Sequence, residues 1–536
     1  GGAAARTPSV LSSFPLFPLS ASSLPSFSPS LCPLSPSELV ASLSAPEVLA
    51  PLQPPPPLCA SLLDSSRETM ALASSEGLLD ERGFRIAPPV VHCGEGRVLL
   101  LDQLIGASAH DELLTLHAAV QPDGRGCCRG AVAGKRRLQS VHVRFDSASA
   151  AERAAHDVCR AATIPAPGSR RLLVLINPLS GERQGEATWE EVRPFFEASG
   201  AQLEVVTTSR AGEAQERAAE LDPSSVDAIV CVSGDGLFHE VVNGLMSRPD
   251  SAAVVAAVSV AAIPAGSGNS LACSILKAAG EPLHAVSSAF LICRGGTSKL
   301  DTWHVEQEGQ GGKSGYAFLS FEWAMVRPFP VVNNRRRRHF TFVHATLIAF
   351  PSLIPFSPCP EQASDVDVGS DEWRCLGPLR FDLYSLWRLL TRRRYTGGLR
   401  FRRQGSQQWT DVNGDFVLLW ALNMPWLDAG TQFAPRAHFD DGCIDLVIIQ
   451  SASRAALLSA FLTKMEVGGH VDEEWCQYEK VVEFELDPNP RTERNPGLVA
   501  VDGELWPFAK TKCKVLPIRL NVLGVGSQRS DATTHK

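Results

Sequence analysis

The chain has little that would point outside ordinary soluble chemistry. It carries 14 cysteines, yet no pair stands at the CxxC spacing and no Cys/His set has the spacing of metal ligands. Neither a zinc site nor a disulfide framework is indicated, and a reducing compartment fits best. An excess of positive charge is also missing: 50 Lys and Arg stand against 58 Asp and Glu, a formal net charge of -8. That balance argues against a general nucleic-acid binder. Local basic runs, Arg335 to Arg338 and Arg392 to Arg394, could still meet acidic lipid headgroups or phosphates. Outside one segment, no stretch is long and apolar enough to span a bilayer, so the expected place is cytoplasmic with peripheral membrane association. What is present is ordinary: 536 residues, 44% hydrophobic and 20% charged, enough for two to four domains with sizeable cores.

Charge is almost absent from the first 69 residues, which are rich in Ser, Pro, Leu and Ala and include a proline run at Pro54 to Pro57. Such a stretch buries too little apolar surface to pack. The first methionine is Met70, so residues 1–69 read as a translated leader with Met70 as the start. A plastid-type transit peptide and a disordered tail are the competing readings, and the scarcity of Arg and Lys weighs against the first.

Three regions follow. Residues 70–165 alternate in short strand-like runs (RVLLLDQLI, ELLTLHAAV, SVHVRF) and close on a helical pattern, SASAAERAAHDVCRAA. This reads as a small β domain. From 171 to 300 the rhythm is strand, loop, helix, repeated: LLVLI, AIVCV and VVAAVSVAAI each run into a loop and then a helix, the last from about Asn269. Strands separated by helices imply a parallel sheet in three layers, with ligands beyond the carboxyl ends of the strands. Residues 301–523 turn mostly to strands (SGYAFLSFEW, DFVLLWALNM, CIDLVIIQ, KVVEFELD, LVAVDGELW, VLPIRLNVLG), which implies a β-rich sandwich. Helices are expected near Leu383 to Arg392 and Ser453 to Val467, and a flexible tail at 524–536.

The segment 327–362 does not fit. It has four arginines, then about twenty uncharged residues broken by Pro351, Pro355 and Pro358. A membrane-dipping segment is one reading, but the prolines and His344 make a poor spanning helix. A retained intron or loop insertion is the other, since deletion joins SFEWAMV to ASDVDVGS smoothly.

Chemistry concentrates in the loops at strand ends. In IVCVSGDGLFHEVVNGL, the pair Asp235-Gly236 between apolar runs has the form of a hairpin turn. Yet Leu237, Val241, Val242 and Leu245 recur at helical spacing, which makes the turn a strand-to-helix junction. Glycines there let main-chain N–H groups approach a phosphate at a helix N-terminus. An acidic side chain at such a place suits a phosphoryl-transfer base: Asp235 would take the proton of an attacking hydroxyl while Mg2+ neutralises the phosphates. IPAGSGNSLACSIL repeats the pattern with Gly266, Ser267 and Gly268, and Asn269 or Ser270 as the cap of the next helix. LINPLSGERQG is a weaker third loop, ending its strand at Asn177 and Pro178. Singly each could be a tight turn; three at equivalent strand ends are far more specific.

SGDGLFHEVVNGL, IPAGSGNSLACSI and VAVDGEL, in that order, resemble the diacylglycerol-kinase-type lipid kinases, and within them the sphingosine (long-chain base) kinases. The resemblance covers about Arg171 to Leu523 without the odd segment. It implies an ATP- and Mg2+-dependent enzyme that phosphorylates the primary hydroxyl of a sphingoid base at a membrane surface. By position it implies Asp235 as general base, with Ser233, Gly234 and Gly236 beside the acceptor hydroxyl and phosphates. Nucleotide contacts would come from Asn177, Pro178, Leu179, Thr208, Ser209, Arg210, Ala211, Gly212, Glu240, Gly266, Ser267 and Gly268, with Arg374 and Arg380 on the phosphates. Asp502, Gly503 and Glu504 match the distal nucleotide motif, the two acids also as Mg2+ ligands. Asp367 and Ser320 would face the lipid. One departure is Ser180-Gly181-Glu182-Arg183, where the family often has Gly-Gly-Lys-Gly. The strands-then-helix order of residues 70–165 is similar to a pleckstrin-homology-type domain.

A sphingoid base carries an ammonium beside its hydroxyl, whereas diacylglycerol and ceramide do not. A carboxylate such as Asp367 would hold that ammonium by a charge-assisted hydrogen bond and would be an uncompensated charge against a neutral lipid. A diacylglycerol or ceramide kinase is the alternative, and a lipid-binding scaffold of impaired activity another, should 327–362 be native. Without the motifs around them, Arg374 and Arg380 would be surface charges and Asp502-Gly503 a hairpin turn.

Overall fold

In the computed structural model, residues 79–524 are described apart from 82, 95, 122–133, 267, 325–393 and 489–497. The leader, the segment 327–362, the helix read at Leu383 to Arg392, the tail beyond 524, and Ser267, Asp367, Arg374 and Arg380 all lie outside the described residues.

The strand Arg171–Ile176 shows how the sequence builds the centre. Leu172, Val174 and Ile176 enter one core with Trp189, Phe195 and Phe196, while Leu173 and Leu175 enter another with Leu237, Phe238 and Val241. Consecutive side chains of a strand point to opposite faces, so an unbroken apolar run must be covered on both. Helices Gly185–Ala198 and Ala285–Arg294 supply one cover. Helices Glu213–Glu220, Asp235–Met246 and Ser270–Ala278 supply the other. Each fully buried large side chain contributes roughly 1.5–3 kcal/mol, an upper figure because unfolded chains bury some surface too.

The strands run Gln202–Thr207, Arg171–Ile176, Ala228–Ser233, Ser259–Pro264 and then Thr511–Leu523, all parallel. Here the expectation of a purely parallel sheet at 171–300 is corrected, because the sheet is mixed and runs on into the β-rich part. The last of these strands, which begins 247 residues after Pro264, pairs parallel with Ser259–Pro264 through Asn521 and Val522 and antiparallel with Thr297–Gln307 and Gln477–Asp487. One mixed sheet of 15 strands therefore runs through both regions. Its β-rich part continues through Ile444–Ile449, Leu418–Leu422, Ser320–Ala324 and Leu498–Val501 to Glu504–Trp506, over a core of Trp303, Phe321, Trp323, Phe401 and Phe484.

The run VVAAVSVAAI, read as a strand, is divided: Ser251–Ala257 is helical and only Ser259–Pro264 is a strand. Val254 and Val255 are each 1% exposed within that helix. Its exposed positions, Ala252, Ala253, Ala256 and Ala257, are alanines, so the run stays apolar throughout and periodicity could not separate helix from strand. At the other end, helix Arg454–Thr463 forms where Ser453 caps it, its hydroxyl accepting the Ala456 N–H.

Ahead of the large sheet in sequence, strands Arg137–Arg144, Leu113–Val120 and Leu104–His110 pair antiparallel, and Phe84–Ala87, Val90–Gly94 and Arg97–Leu100 form a second small sheet. Helix Ala148–Ala162, capped by the Ser147 hydroxyl, closes their shared core through Ala151, Ala155 and Val158. Ile105 and Ala119 also join the core of Trp189 and Phe196. There Arg136 pairs with Glu281 and lies 3.7 Å over the Phe290 ring.

Candidate active site

Three loops meet beyond the carboxyl ends of the parallel strands, and small residues allow it. A Cβ on Gly266 would stand 2.3 Å from the Gly234 Cα, and one on Gly234 would stand 2.6 Å from the Gly268 carbonyl oxygen. Gly181, at φ +50, would place a Cβ 2.2 Å from the Ala265 carbonyl. These are main-chain contacts that no side chain could share. Hydrogen bonds then fasten the loops: Gly234 N–H donates to the Ser180 hydroxyl (3.1 Å) and Asp235 N–H to Gly268 O (3.2 Å). The Ser233 hydroxyl donates to that of Ser180 at 3.3 Å. Ser180, outside the expected site residues, is thus the bolt of the first loop.

Asp235 begins its own helix and also serves the next one. Its carboxylate accepts the N–H groups of Ser270 (2.8 Å) and Leu271 (3.2 Å), the first turn of Ser270–Ala278. Capping by Asn269 or Ser270 was expected; Asn269 instead braces its own loop, accepting from Gly266 N–H at 3.0 Å and donating to Gly266 O at 2.6 Å. Burial pushes the Asp235 carboxyl above the usual range, against the pull of the Ser270 and Leu271 donors, and the charge of Asp502 adds to the rise.

The same helix carries hydrogen-bonded polar side chains at every fourth residue. His239 follows Asp235 and meets the Asp502 carboxylate at 2.8 Å. Asn243 comes next: it accepts from Tyr316 N–H and donates to Tyr316 O, both at 2.9 Å. Burial pulls the His239 imidazole down, but the hydrogen bond and charge of Asp502 outweigh it, and the net direction is up. Neither residue was singled out from sequence, although the i, i+4, i+8 spacing was the available signal.

Asp502 and Gly503, at φ 49 and 84, form the turn between Leu498–Val501 and Glu504–Trp506. The plain hairpin reading of this pair is therefore correct for its backbone. Its side chain is 4% exposed and accepts the N–H groups of Phe318 (3.2 Å), Leu319 (3.0 Å) and Ser320 (2.9 Å) besides facing His239. Four donors fill the acceptor sites of two oxygens. Asp502 is thus engaged within the protein, and Glu504 is the acid of that motif left at the surface. The Glu504 carboxylate lies 3.9 Å from where a Gly236 Cβ would be, next to the start of the Asp235 helix. Ser320, expected to face the lipid, is 2% exposed and its hydroxyl donates to Glu322, so its side chain faces protein.

The other expected residues line the neighbouring strand ends. Leu179 N–H donates to the Asn177 side chain (3.0 Å), turning the chain at Pro178, and Leu179 is 71% exposed. The Thr208 hydroxyl donates to Ile176 O, and Ser209 is held by Glu213 through both its N–H and its hydroxyl. Arg210 pairs with Glu216, Ala211 is exposed, and Gly212 at φ 80 starts the helix Glu213–Glu220. Glu240 accepts the Ala214 N–H at 3.2 Å, joining the Asp235 helix to this loop. Thus Asn177 to Leu179, Thr208 to Gly212, Ser233 to Gly236, Glu240, Gly266, Gly268 and Glu504 come together at one sheet edge. Among the described residues no three or more His, Cys, Asp or Glu side chains form a metal-binding group by themselves. No helix among them is long and apolar enough to cross a membrane.

Residues 171–305 match the family described as diacylglycerol kinase catalytic domain, and residues 371–524 the YegS C-terminal NAD kinase beta sandwich-like domain. Sphingosine kinase 1 of Arabidopsis thaliana is 29% identical over 449 residues, 77% of this chain and 84% of that protein. Sphingosine kinase 1 of Homo sapiens is 30% identical over 391 residues, 66% of this chain and 90% of that protein. A crystal structure of a diacylglycerol kinase from Bacillus anthracis str. Sterne aligns with TM-score 0.42 and 16% identity, covering 66% of this chain and 96% of that one.

Proposed function

The chain belongs to the sphingosine kinases, lipid kinases built on a diacylglycerol kinase catalytic domain, and from that premise we propose that it phosphorylates the primary hydroxyl of sphingosine or a related long-chain sphingoid base, with Asp235 as general base. The observation that carries the reading is the placement of the Asp235 carboxylate between two helix N-termini. One N–H bond to each oxygen, from Ser270 and Leu271, fixes the side chain and leaves lone pairs for a hydroxyl proton. Burial raises its affinity for that proton toward the working pH. Such a base removes the proton as the acceptor oxygen meets the terminal phosphate of ATP.

The nucleotide would rest on Asn177 to Leu179, Thr208 to Gly212, Gly234, Gly236, Glu240, Gly266 and Gly268, with Ser267, Arg374 and Arg380 completing the set. Oxygen ligands suit Mg2+, which keeps most of its shell for water and phosphate, so Glu504 fits it and the engaged Asp502 does not. When bound, that ion would neutralise charge on the phosphates. Asp502 then acts by holding Ser320 and His239 in place. Preference for a sphingoid amine rests on Asp367 and on the family wording SGDGLFHE. A pleckstrin-homology-like unit at 70–165, a cytoplasmic site of action and peripheral contact with membrane belong to the same reading.

Kinase assays with ATP and Mg2+ on sphingosine, diacylglycerol and ceramide test it. Turnover of sphingosine first, lost in Asp235→Asn, is the expected result. Preference for diacylglycerol, or indifference to Asp367→Asn, would defeat the substrate choice.

A further inference from the structure

The strand Gln202–Thr207 ends the large sheet: Arg171–Ile176 pairs with one side of it and, among the described residues, no strand pairs with the other. Its hydrogen bonds show which groups face out. Gln202 N–H donates to Arg170 O and Thr208 N–H to Ile176 O, both at 2.8 Å. Main-chain direction alternates along a strand, so Leu203, Val205 and Thr207 turn their N–H and C=O groups to the free edge.

The side chains of the same three residues line a cleft of about 640 Å3, whose opposite wall is helix Gly185–Ala198 with Trp189 at its floor. Val205 is 44% exposed. The rim is acidic: Glu186, Glu190 and Glu197 border the cleft against one cation, Arg193, which is engaged with Glu197 at 2.7 Å and Glu190 at 3.8 Å. Glu186, and Glu204 on the strand itself, form no ion pair with any described residue.

An apolar edge with unpaired main-chain groups is a template for another strand, and proteins cover or guard such edges unless they use them. We propose that Gln202–Thr207 docks an extended Lys- or Arg-bearing peptide segment of a protein partner, which adds to the sheet as one more strand. Main-chain hydrogen bonds to Leu203, Val205 and Thr207 hold the segment, and its basic side chains on the cleft side meet Glu186 and Glu190. Charge selects this occupant over a second copy of the chain, which would set these carboxylates near their own counterparts.

Val205→Pro is the discriminating variant. Its N–H faces the free edge, so proline removes an outward donor without breaking a bond to Arg171–Ile176. The full chain would be titrated calorimetrically with a capped peptide alternating Lys with Val and Thr, with its Glu-for-Lys counterpart, and with the Lys peptide N-methylated at alternate residues. The Lys peptide is expected to bind at least roughly tenfold tighter than either counterpart, and Val205→Pro to remove that advantage with an unchanged melting transition. Glu186→Lys with Glu190→Lys, both on the exposed helix face, should move the preference to the Glu peptide. No binding, equal binding of the N-methylated peptide, or full binding by Val205→Pro overturns the proposal. So does a concentration-dependent dimer in sedimentation that Val205→Pro abolishes while the Lys peptide is refused.

Discussion

Replacing Asp502 by alanine would strip three buried main-chain N–H groups, those of Phe318, Leu319 and Ser320, of their acceptor, and His239 of its partner. Hydrogen bonds to a charged group contribute roughly 1.5–3 kcal/mol each, but they share one carboxylate and water would partly refill the gap. The expected loss is therefore about 3–5 kcal/mol, the range found on breaking a buried charged network. The backbone at φ 49 adds a smaller penalty for alanine that asparagine escapes. Asp502→Asn keeps an oxygen for Leu319 and Ser320 but turns an NH2 group toward Phe318 N–H or His239, so a loss of about 1–3 kcal/mol is expected. Urea unfolding followed by tryptophan fluorescence gives the midpoints, and hydrogen exchange by mass spectrometry reads the Phe318 to Ser320 amides directly. A loss below about 1 kcal/mol for Asp502→Ala, or unchanged exchange at those amides, would refute the structural role given to this side chain.

Glu504→Gln should leave the unfolding midpoint unchanged, because the side chain is exposed, while raising the Mg2+ concentration needed for half-maximal turnover; a large stability loss would count against the division of tasks with Asp502. Gly266→Ala must part loops whose main chains already touch, at a cost of about 1–3 kcal/mol and a fall in turnover, both measurable on one preparation. Asp235→Asn should lower kcat roughly 10²–10⁴-fold with nucleotide affinity retained, as read by kinetics and calorimetry. Because burial raises the Asp235 carboxyl, its ionised form is lost at a higher pH than for an ordinary aspartate. The acid limb of kcat/KM should accordingly lie above the usual carboxylate range. Its linked stability runs the other way: present below the ordinary value and lost as pH rises through the folded one.

How much of this was legible differs by the range of the interaction. The SGDG junction could be read because apolar spacing changes from strand to helix within a few residues, and both periods are local. The continuity of the sheet could not, since Ser259 meets Asn521, and nothing in either segment names the other. Asp502 was found as a motif, but its donors were not, because main-chain N–H groups leave no mark on residue type. Asn269 looked like a cap because it precedes the helix. Asp235, arriving from another loop, reached those N–H groups instead. Val254 and Val255 misled for a different reason: the exposed positions of their helix, Ala252, Ala253, Ala256 and Ala257, are alanines, so the run is apolar throughout and shows no period.

The strand Thr511–Leu523 also governs when the enzyme can exist. During synthesis the strands from Arg171 to Pro264 leave the ribosome early, with the Ser259–Pro264 side of their sheet still bare. It stays bare until some 250 further residues have been made, because its neighbour there is Asn521 and Val522. A nascent chain that has made Ser259–Pro264 but not yet Asn521 and Val522 therefore holds an uncovered edge that the folded sheet has paired.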